Sequence, residues 1–486
     1  MVTDRLMAAA VVALVFGSAV CFGGAVWWFR PALAIATLIL VTSQLAQYLV
    51  RGRLPLFKSP LALLGFGALG LGIVQLLPLP PTAADWLSPT AREIYAYGGL
   101  PGLAKTDLPT IQLSEPAQVR SPATLDRAAT LRWLVGACAC LGVFWGVTHF
   151  ADRLERLYLV WGSIVAAFVL NAALAMVQLA GHSDGLFGFI QPGRAPIWAP
   201  STDDMLESPS MVVMRRLGSP SVSGEPSAPI EPTVLIPEPP FLFGTMMGGA
   251  GAFLGLSALA LPLALAIVLQ VTAPRGSRES LAFRLQHTGQ GGLAVLLVAM
   301  LITGTFLVGM MAGPWFCAPF ALGLLIVGLP GVAGARWLSI GLTSVLLGSL
   351  GLGATFAGLW PEISGGRAPI TALSTELAGQ LWAEGSATLR DFPLVGTGLG
   401  SFPTIHPYMK THDASSTTAM STVLQWAVEA GGAGLALCTV AVIWSVSRLP
   451  GSVKRVGVSD RPLAYGLIGA AMGFSLWAVV HWTVEL

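Results

Sequence analysis

The feature that most constrains this chain is the recurrence of apolar stretches about 20 residues long, the length an α-helix needs to cross a hydrocarbon core of about 30 Å. Eleven can be marked, near 6–29, 31–50, 60–80, 131–150, 157–180, 245–272, 292–312, 315–333, 337–360, 421–447 and 464–484. Composition agrees with them. Hydrophobic residues make up 54% of the chain and charged ones 10%, against roughly 25% charged in a typical soluble protein. That is too few charges to cover a soluble globule. A net charge of +2 from scattered basic residues also excludes disorder and a basic nucleic-acid binder. The fold class this predicts is all-α, a polytopic membrane protein of about 11–12 transmembrane helices with large external loops.

The first stretch is too long and too apolar for a cleaved signal peptide and reads as an anchor that stays. Short connections carry Arg51, Arg53 and Lys58, then Arg153 and Arg156, then Arg275, Arg278 and Arg284, then Arg336, and finally Arg448, Lys454, Arg455 and Arg461. Dense basic residues in short loops mark the cytoplasmic side. The N-terminus is therefore expected inside and the long segments near 81–130, 181–244 and 361–420 outside. An eleven-span count leaves His481, Trp482 and Glu485 outside as well, so either a further helix follows in a longer chain or one span is not a crossing.

The expected organisation is an N-terminal bundle over 1–180, an external Pro/Ser-rich loop over 181–244, central helices over 245–360, a large external loop over 361–420 and C-terminal helices over 421–486. Residues 85–97 and 374–390 have the pattern of amphipathic helices lying on a membrane surface. The five cysteines all lie in apolar stretches without a CxxC pair, and the six histidines are dispersed, so no metal site follows from spacing.

Three places interrupt the apolar pattern. Ser421, Gln425 and Glu429 recur at i, i+4 and i+8 and so share one helix face. Glu429 would lie roughly 12 Å below the helix end, where a charge costs about 2.5–3.5 kcal/mol on insertion scales. It must face the bundle interior, either sealing a helix contact or forming the floor of a polar cavity. The segment Asp391–Phe402 carries Gly396, Gly398 and Gly400, which suit a tight turn whose N–H groups would hold an anion. Beyond it come His406, Tyr408, Lys410, His412 and Asp413. The third place is Arg194 with Arg215 and Arg216, whose forked guanidinium groups suit a pyrophosphate or lipid headgroups.

These segments resemble the O-antigen ligase and O-antigen polymerase superfamily of bacterial envelope glycan assembly. The likeness rests on Gln75-Leu76-Leu77-Pro78-Leu79-Pro80, on Ala123-Thr124-Leu125-Asp126-Arg127, and on Ala175-Met176-Val177-Gln178. It is most specific between about 380 and 435. There Leu381-Trp382 and Arg390-Asp391-Phe392-Pro393-Leu394-Val395-Gly396-Thr397-Gly398-Leu399-Gly400-Ser401-Phe402 are similar to the family's "W…dhPl.GvGlgnF" element, and Leu424-Gln425 with Glu429-Ala430-Gly431-Gly432 to its "HN.yLQ..aE.G" element.

The resemblance implies a bacterial inner-membrane protein that takes a polyprenyl-pyrophosphate-linked glycan from the outer leaflet. The sugar goes to a lipid or polysaccharide acceptor, with no cofactor, metal or nucleic acid involved. External cations hold the pyrophosphate, and a histidine next to an asparagine activates the acceptor. In this chain Met420 stands where that histidine would be and Ser421 where the asparagine would be, Leu377 and Ala378 occupy the place of an expected arginine, and Gly248-Gly249-Ala250 replaces an "NpN" turn. Two expectations follow. Either His412 or His406 substitutes as base near Glu429, with Arg194, Arg215, Arg216, Arg390 and Lys410 on the pyrophosphate and Gln425 and Ser421 lining the site, or the fold binds lipid-linked glycan without catalysis. A secondary transporter is the competing class, distinguished by a central site open in turn to both sides.

Overall fold

The computed structural model describes residues 2–17, 29–51, 60–96, 121–151, 153–181, 250–272, 290–313, 316–330, 336–363, 375–409, 419, 421–457 and 460–480. Each of the eleven apolar stretches contains a helix among its described residues. In chain order these are α1 (Val2–Val12, continued by a π-turn over Ala13–Gly17), α2 (Phe29–Arg51), α3 (Pro60–Leu76), α6 (Arg127–Phe150), α7 (Leu154–Gly181), α8 (Ala250–Thr272), α9 (Gln290–Ala312), α10 (Ala318–Gly328), α11 (Arg336–Ile363), α14 (Thr422–Arg455) and α15 (Arg461–Val480). Four further helices lie between spans: α4 (Pro81–Leu87), α5 (Pro89–Ala96), α12 (Thr375–Asp391) and α13 (Phe402–Met409). Seven of the helices are long and apolar enough to cross a membrane, and four apolar ones are shorter. No strand occurs among the described residues. The chain is an all-α, multi-pass membrane protein.

Local chemistry sets the helix starts. Asp126 caps α6, its carboxylate accepting from the N–H of Ala129 at 2.9 Å. Ser421 caps α14 by accepting from the N–H of Leu424 at 3.2 Å. Pro81 and Pro89 open α4 and α5, where a missing N–H costs nothing.

Two groups of helices make up the bundle. In the larger, α8 is the central element, packed against α7, α9, α10 and α15, with Phe253, Leu261, Leu265 and Leu269 buried. Trp477 of α15 and Phe320 of α10 meet at 5.5 Å between ring centroids. In the smaller, α3 lies between α6 and α14, and α2 packs on α6 and α1.

In lipid, apolar side chains gain little by touching each other rather than acyl tails, so helices associate where backbones approach closely. The pair α9 and α11 shows this. A side chain at Gly309 would strike the Leu350 carbonyl, and one at Gly353 the Phe306 carbonyl. The hydroxyls of Thr305 and Ser349 hydrogen-bond between the two helices, and Ser349 donates to the Ile302 carbonyl at 3.0 Å. We expect Gly309→Leu and Gly353→Leu to force the pair apart at a cost of about 1–3 kcal/mol each. Gly351→Ala, on a face with nothing within 4 Å, should leave stability unchanged. Thermal unfolding in detergent checks this; equal midpoints for all three variants would refute it.

Candidate functional site

The site begins with a break in a helix. At Gly431 the backbone of α14 takes φ 63° and ψ −160°, a conformation open to glycine but not to residues with a Cβ. In a continuous helix, Gly432 N–H would bond to the Val428 carbonyl and Ala433 N–H to the Glu429 carbonyl. The break separates both pairs, leaving two donors and two acceptors inside a membrane span.

The turn after α12 replaces them one for one. Gly432 N–H donates to the Pro393 carbonyl at 2.8 Å and Ala433 N–H to the Leu394 carbonyl at 2.9 Å, while Thr397 N–H donates to the Val428 carbonyl at 2.9 Å and Gly398 N–H to the Glu429 carbonyl at 3.1 Å. The turn can come this close because Gly396, with φ 71°, lies directly on the backbone of Glu429 and Ala430, where any side chain would collide.

Gln75, fully buried at the end of α3, ties a third element into the assembly. Its amide nitrogen donates to the Val395 carbonyl at 2.6 Å and to the Glu429 carbonyl at 2.9 Å. Its amide oxygen accepts from Leu399 N–H at 3.0 Å. The head of α6 supplies a fourth contact, with Leu125 N–H donating to the Thr397 carbonyl at 2.8 Å and Asp126 accepting from the Thr404 hydroxyl at 2.8 Å.

The Glu429 carboxyl, 3% exposed, accepts from three N–H groups: Gly400 at 2.7 Å, Phe402 at 3.2 Å and the Gln425 side chain at 2.9 Å. Convergent donors are what a carboxylate removed from water requires. Two amides of the glycine-rich turn thus meet the carboxyl of Glu429 itself. From Thr397 to Phe402 every backbone N–H is engaged within the protein, so none is available to a ligand in this state.

A cover lies over this assembly. His406 of α13, 4% exposed, faces Glu384 of α12 with Nε2 and Oε2 3.1 Å apart, and the Phe402 ring stacks on the imidazole at 5.1 Å. The Thr388 hydroxyl donates to Met409 Sδ at 3.1 Å, joining the same two helices. At the edge, Thr90 of α5 donates to the Asp391 carbonyl at 2.7 Å, Arg92 pairs with Asp85, and Tyr95 donates to the Thr124 carbonyl at 2.7 Å. Burial pushes the Tyr95 phenol above its ordinary pKa, against the lowering effect of Arg127, so it stays a donor at neutral pH.

The structure brings Gln425 and Glu429 together, as their spacing predicts, with the Glu429 carboxyl against the turn, while Ser421 is the extended residue that caps α14. Ser421 also donates to the Val479 carbonyl, and Gln425 accepts from Ala419 N–H at 3.1 Å. In this state the side chains of Glu429, Gln425 and Ser421 are thus hydrogen-bonded within the protein. His406 is in the cover and Arg390 is exposed on α12. Arg194, Arg215, Arg216, Lys410 and His412 lie outside the described residues.

Sequence reasoning overlooked Glu384 entirely and weighed Gln75 and Asp126 only as parts of a resemblance. A lone amide closing an apolar span was the available signal for Gln75, since burying it demands partners. No group of three or more potential metal ligands occurs among the described residues. No family model, curated protein or solved structure matches the chain.

Each neutral hydrogen bond is worth about 1 kcal/mol and one to a charged group about 1.5–3. Gln75→Ala should therefore destabilise the protein by about 3 kcal/mol. Glu429→Gln should cost a similar amount, because its amide would meet a backbone N–H donor to donor. Thermal midpoints and protease cleavage within 391–401 report both, and wild-type behaviour in the two variants would show that the interlock does not hold the turn.

Proposed function

We propose that this chain is an O-antigen ligase-like glycosyltransferase of the bacterial inner membrane, moving a glycan from a polyprenyl pyrophosphate to a lipid or polysaccharide acceptor on the external face. One observation carries the reading. The residues that most closely resemble the family, Pro393 to Phe402 and Gln425 to Gly432, are those that build the interlock. The likeness and the seat of the cover in the broken helix thus fall on the same residues.

Orientation follows from charge. Arg153, Arg156, Arg336, Arg455 and Arg461 lie at or next to the helix ends that short connections join, away from the cover, and the positive-inside rule assigns them to the cytoplasm. The cover then faces outward, at the depth of lipid headgroups, where a polyprenyl pyrophosphate presents its sugar. Transport at the broken helix is disfavoured, because the backbone groups that would bind an ion or substrate there are taken by the turn.

The chemistry is a displacement at the anomeric carbon. An acceptor hydroxyl oxygen bonds to that carbon, the bond from carbon to pyrophosphate oxygen breaks, and the pyrophosphate leaves with the electron pair. The hydroxyl proton passes to a base, for which His406 and His412 are the candidates in place of the family's histidine. Arg390, with Arg194, Arg215, Arg216 and Lys410, supplies positive charge for the leaving group. The donor carries its own activated bond, so no cofactor is needed.

The test is transfer in proteoliposomes containing a polyprenyl-pyrophosphate glycan and an acceptor lipid. Loss of the base should lower kcat about 10²–10⁴-fold, and Arg390→Ala should weaken turnover with the fold intact. Full turnover in both His406→Ala and His412→Ala would eliminate the substituted base. Saturable donor binding without turnover in wild-type protein would mean a binding protein instead.

A further inference from the structure

The geometry points to a docking face for one anionic phospholipid on the cover-side half of α6, its phosphate held between Arg127 and Arg132 and an acyl chain lying on Leu131, Val135 and Ala139. This surface is independent of the transferase reading. Both arginines are exposed. They lie toward the end of α6 that carries the cover, since Asp126 at its cap accepts from Thr404 of α13 at 2.8 Å. Among the described residues neither arginine is in an ion pair. Arg92 is satisfied by Asp85, and Asp126 itself is turned to Ala129 and Thr404. Positive charge on the cover side also runs against the bias that gathers it in the short connections, and calls for a partner of opposite charge.

Depth and direction fit such a partner. Arg132 is five residues further along than Arg127, about 7.5 Å at 1.5 Å per residue. Helical side chains tilt toward the helix N-terminus, and the N-terminus of α6 is its cover end. The Arg132 stem therefore lies along apolar surface and lifts its guanidinium back toward the level of Arg127. At about 100° per residue the two arginines stand at the edges of one sector, with Leu131, Val135, Cys138 and Ala139 between them. Leu131 is 57% and Val135 66% exposed, and Cys138 and Ala139 are exposed as well. Neighbouring helices leave this sector open. The contacts of α3 fall on Leu134 and Leu141, to one side of it, and α2 covers the same sector deeper in the helix, where Val41 lies on Gly142 and Leu40 on Gly146. From Arg127 to Ala139 the open stripe runs about 18 Å, close to one leaflet of a hydrocarbon core of about 30 Å. An acyl chain of that leaflet ends where α2 takes over, whereas the longer chain of a polyprenyl donor does not, so the face suits a phospholipid. Two guanidinium forks match phosphate oxygens and select a head of net negative charge over a zwitterionic one, whose own cation would meet them. The bound lipid braces the head of α6, where Leu125 N–H donates to the Thr397 carbonyl.

The experiment is native mass spectrometry of the full chain in detergent, titrated with phosphatidylglycerol or with phosphatidylcholine of the same acyl chains. The tightest-bound lipid of the wild-type chain should be one phosphatidylglycerol, retained in preference to phosphatidylcholine. That preference should fall about fivefold in Arg127→Gln or Arg132→Gln and about thirtyfold in the double variant. Arg336→Gln removes the same charge from an exposed position at the start of α11 and should leave the tightest binding unchanged. Phosphatidylglycerol carrying a diazirine at mid-chain should, on illumination, label the peptide that spans Leu131 to Ala139.

Equal retention of the two lipids by the wild-type chain, a loss in Arg336→Gln as large as in the double variant, or labelling confined to other helices would overturn the proposal. Should the double variant fail to give monodisperse protein, the single variants and the labelling of wild-type protein decide the question.

Discussion

Everything near the cover depends on the exchange of hydrogen bonds at Gly431. Lipid offers no partners to an open helix, so a break in a membrane span persists only where protein supplies replacements. Here the supply is complete: two carbonyls of the 393–394 segment and two amides of the 397–398 segment take over the bonds that α14 gives up. The turn cannot leave without exposing four polar groups to an apolar interior. Glycine is required at both contact points, at Gly431 for its dihedral angles and at Gly396 for both its angles and the room it leaves.

This exchange also accounts for the sequence between 393 and 432. Its residues build the seat of the cover, so folding alone demands the glycines at 396 and 431 and a hydrogen-bond acceptor at 429. The Glu429 carboxyl is held there by amides of the turn and of Gln425.

Much of the fold was legible because apolar length is a direct physical signal. All eleven stretches contain helices among their described residues, and so do the segments at 85–97 and 374–390. The pairing of Gln425 with Glu429 was legible too, since helical periodicity fixes it. The break was not, because Gly431-Gly432 is equally compatible with a close helix crossing. Nor was Glu384: an acid on an amphipathic surface helix is ordinarily solvated, and only the fold reveals that α13 lies across it. Gln75 is separated from its partners by more than 300 positions, a distance no local pattern bridges.

That separation bears on how the protein is made. Gln75 enters the bilayer early in translation, while Val395, Leu399 and Glu429 have yet to leave the ribosome. Until they arrive, its amide must be tolerated by the translocon, by nearby water or by a temporary neighbour. The first nine residues of α14 likewise cannot settle at depth before the 393–398 segment does. Assembly therefore has an enforced late step, in which the 393–398 turn seats itself against a helix synthesised after it. Chains stalled before that step would expose an unclosed backbone, a natural mark for quality-control proteases.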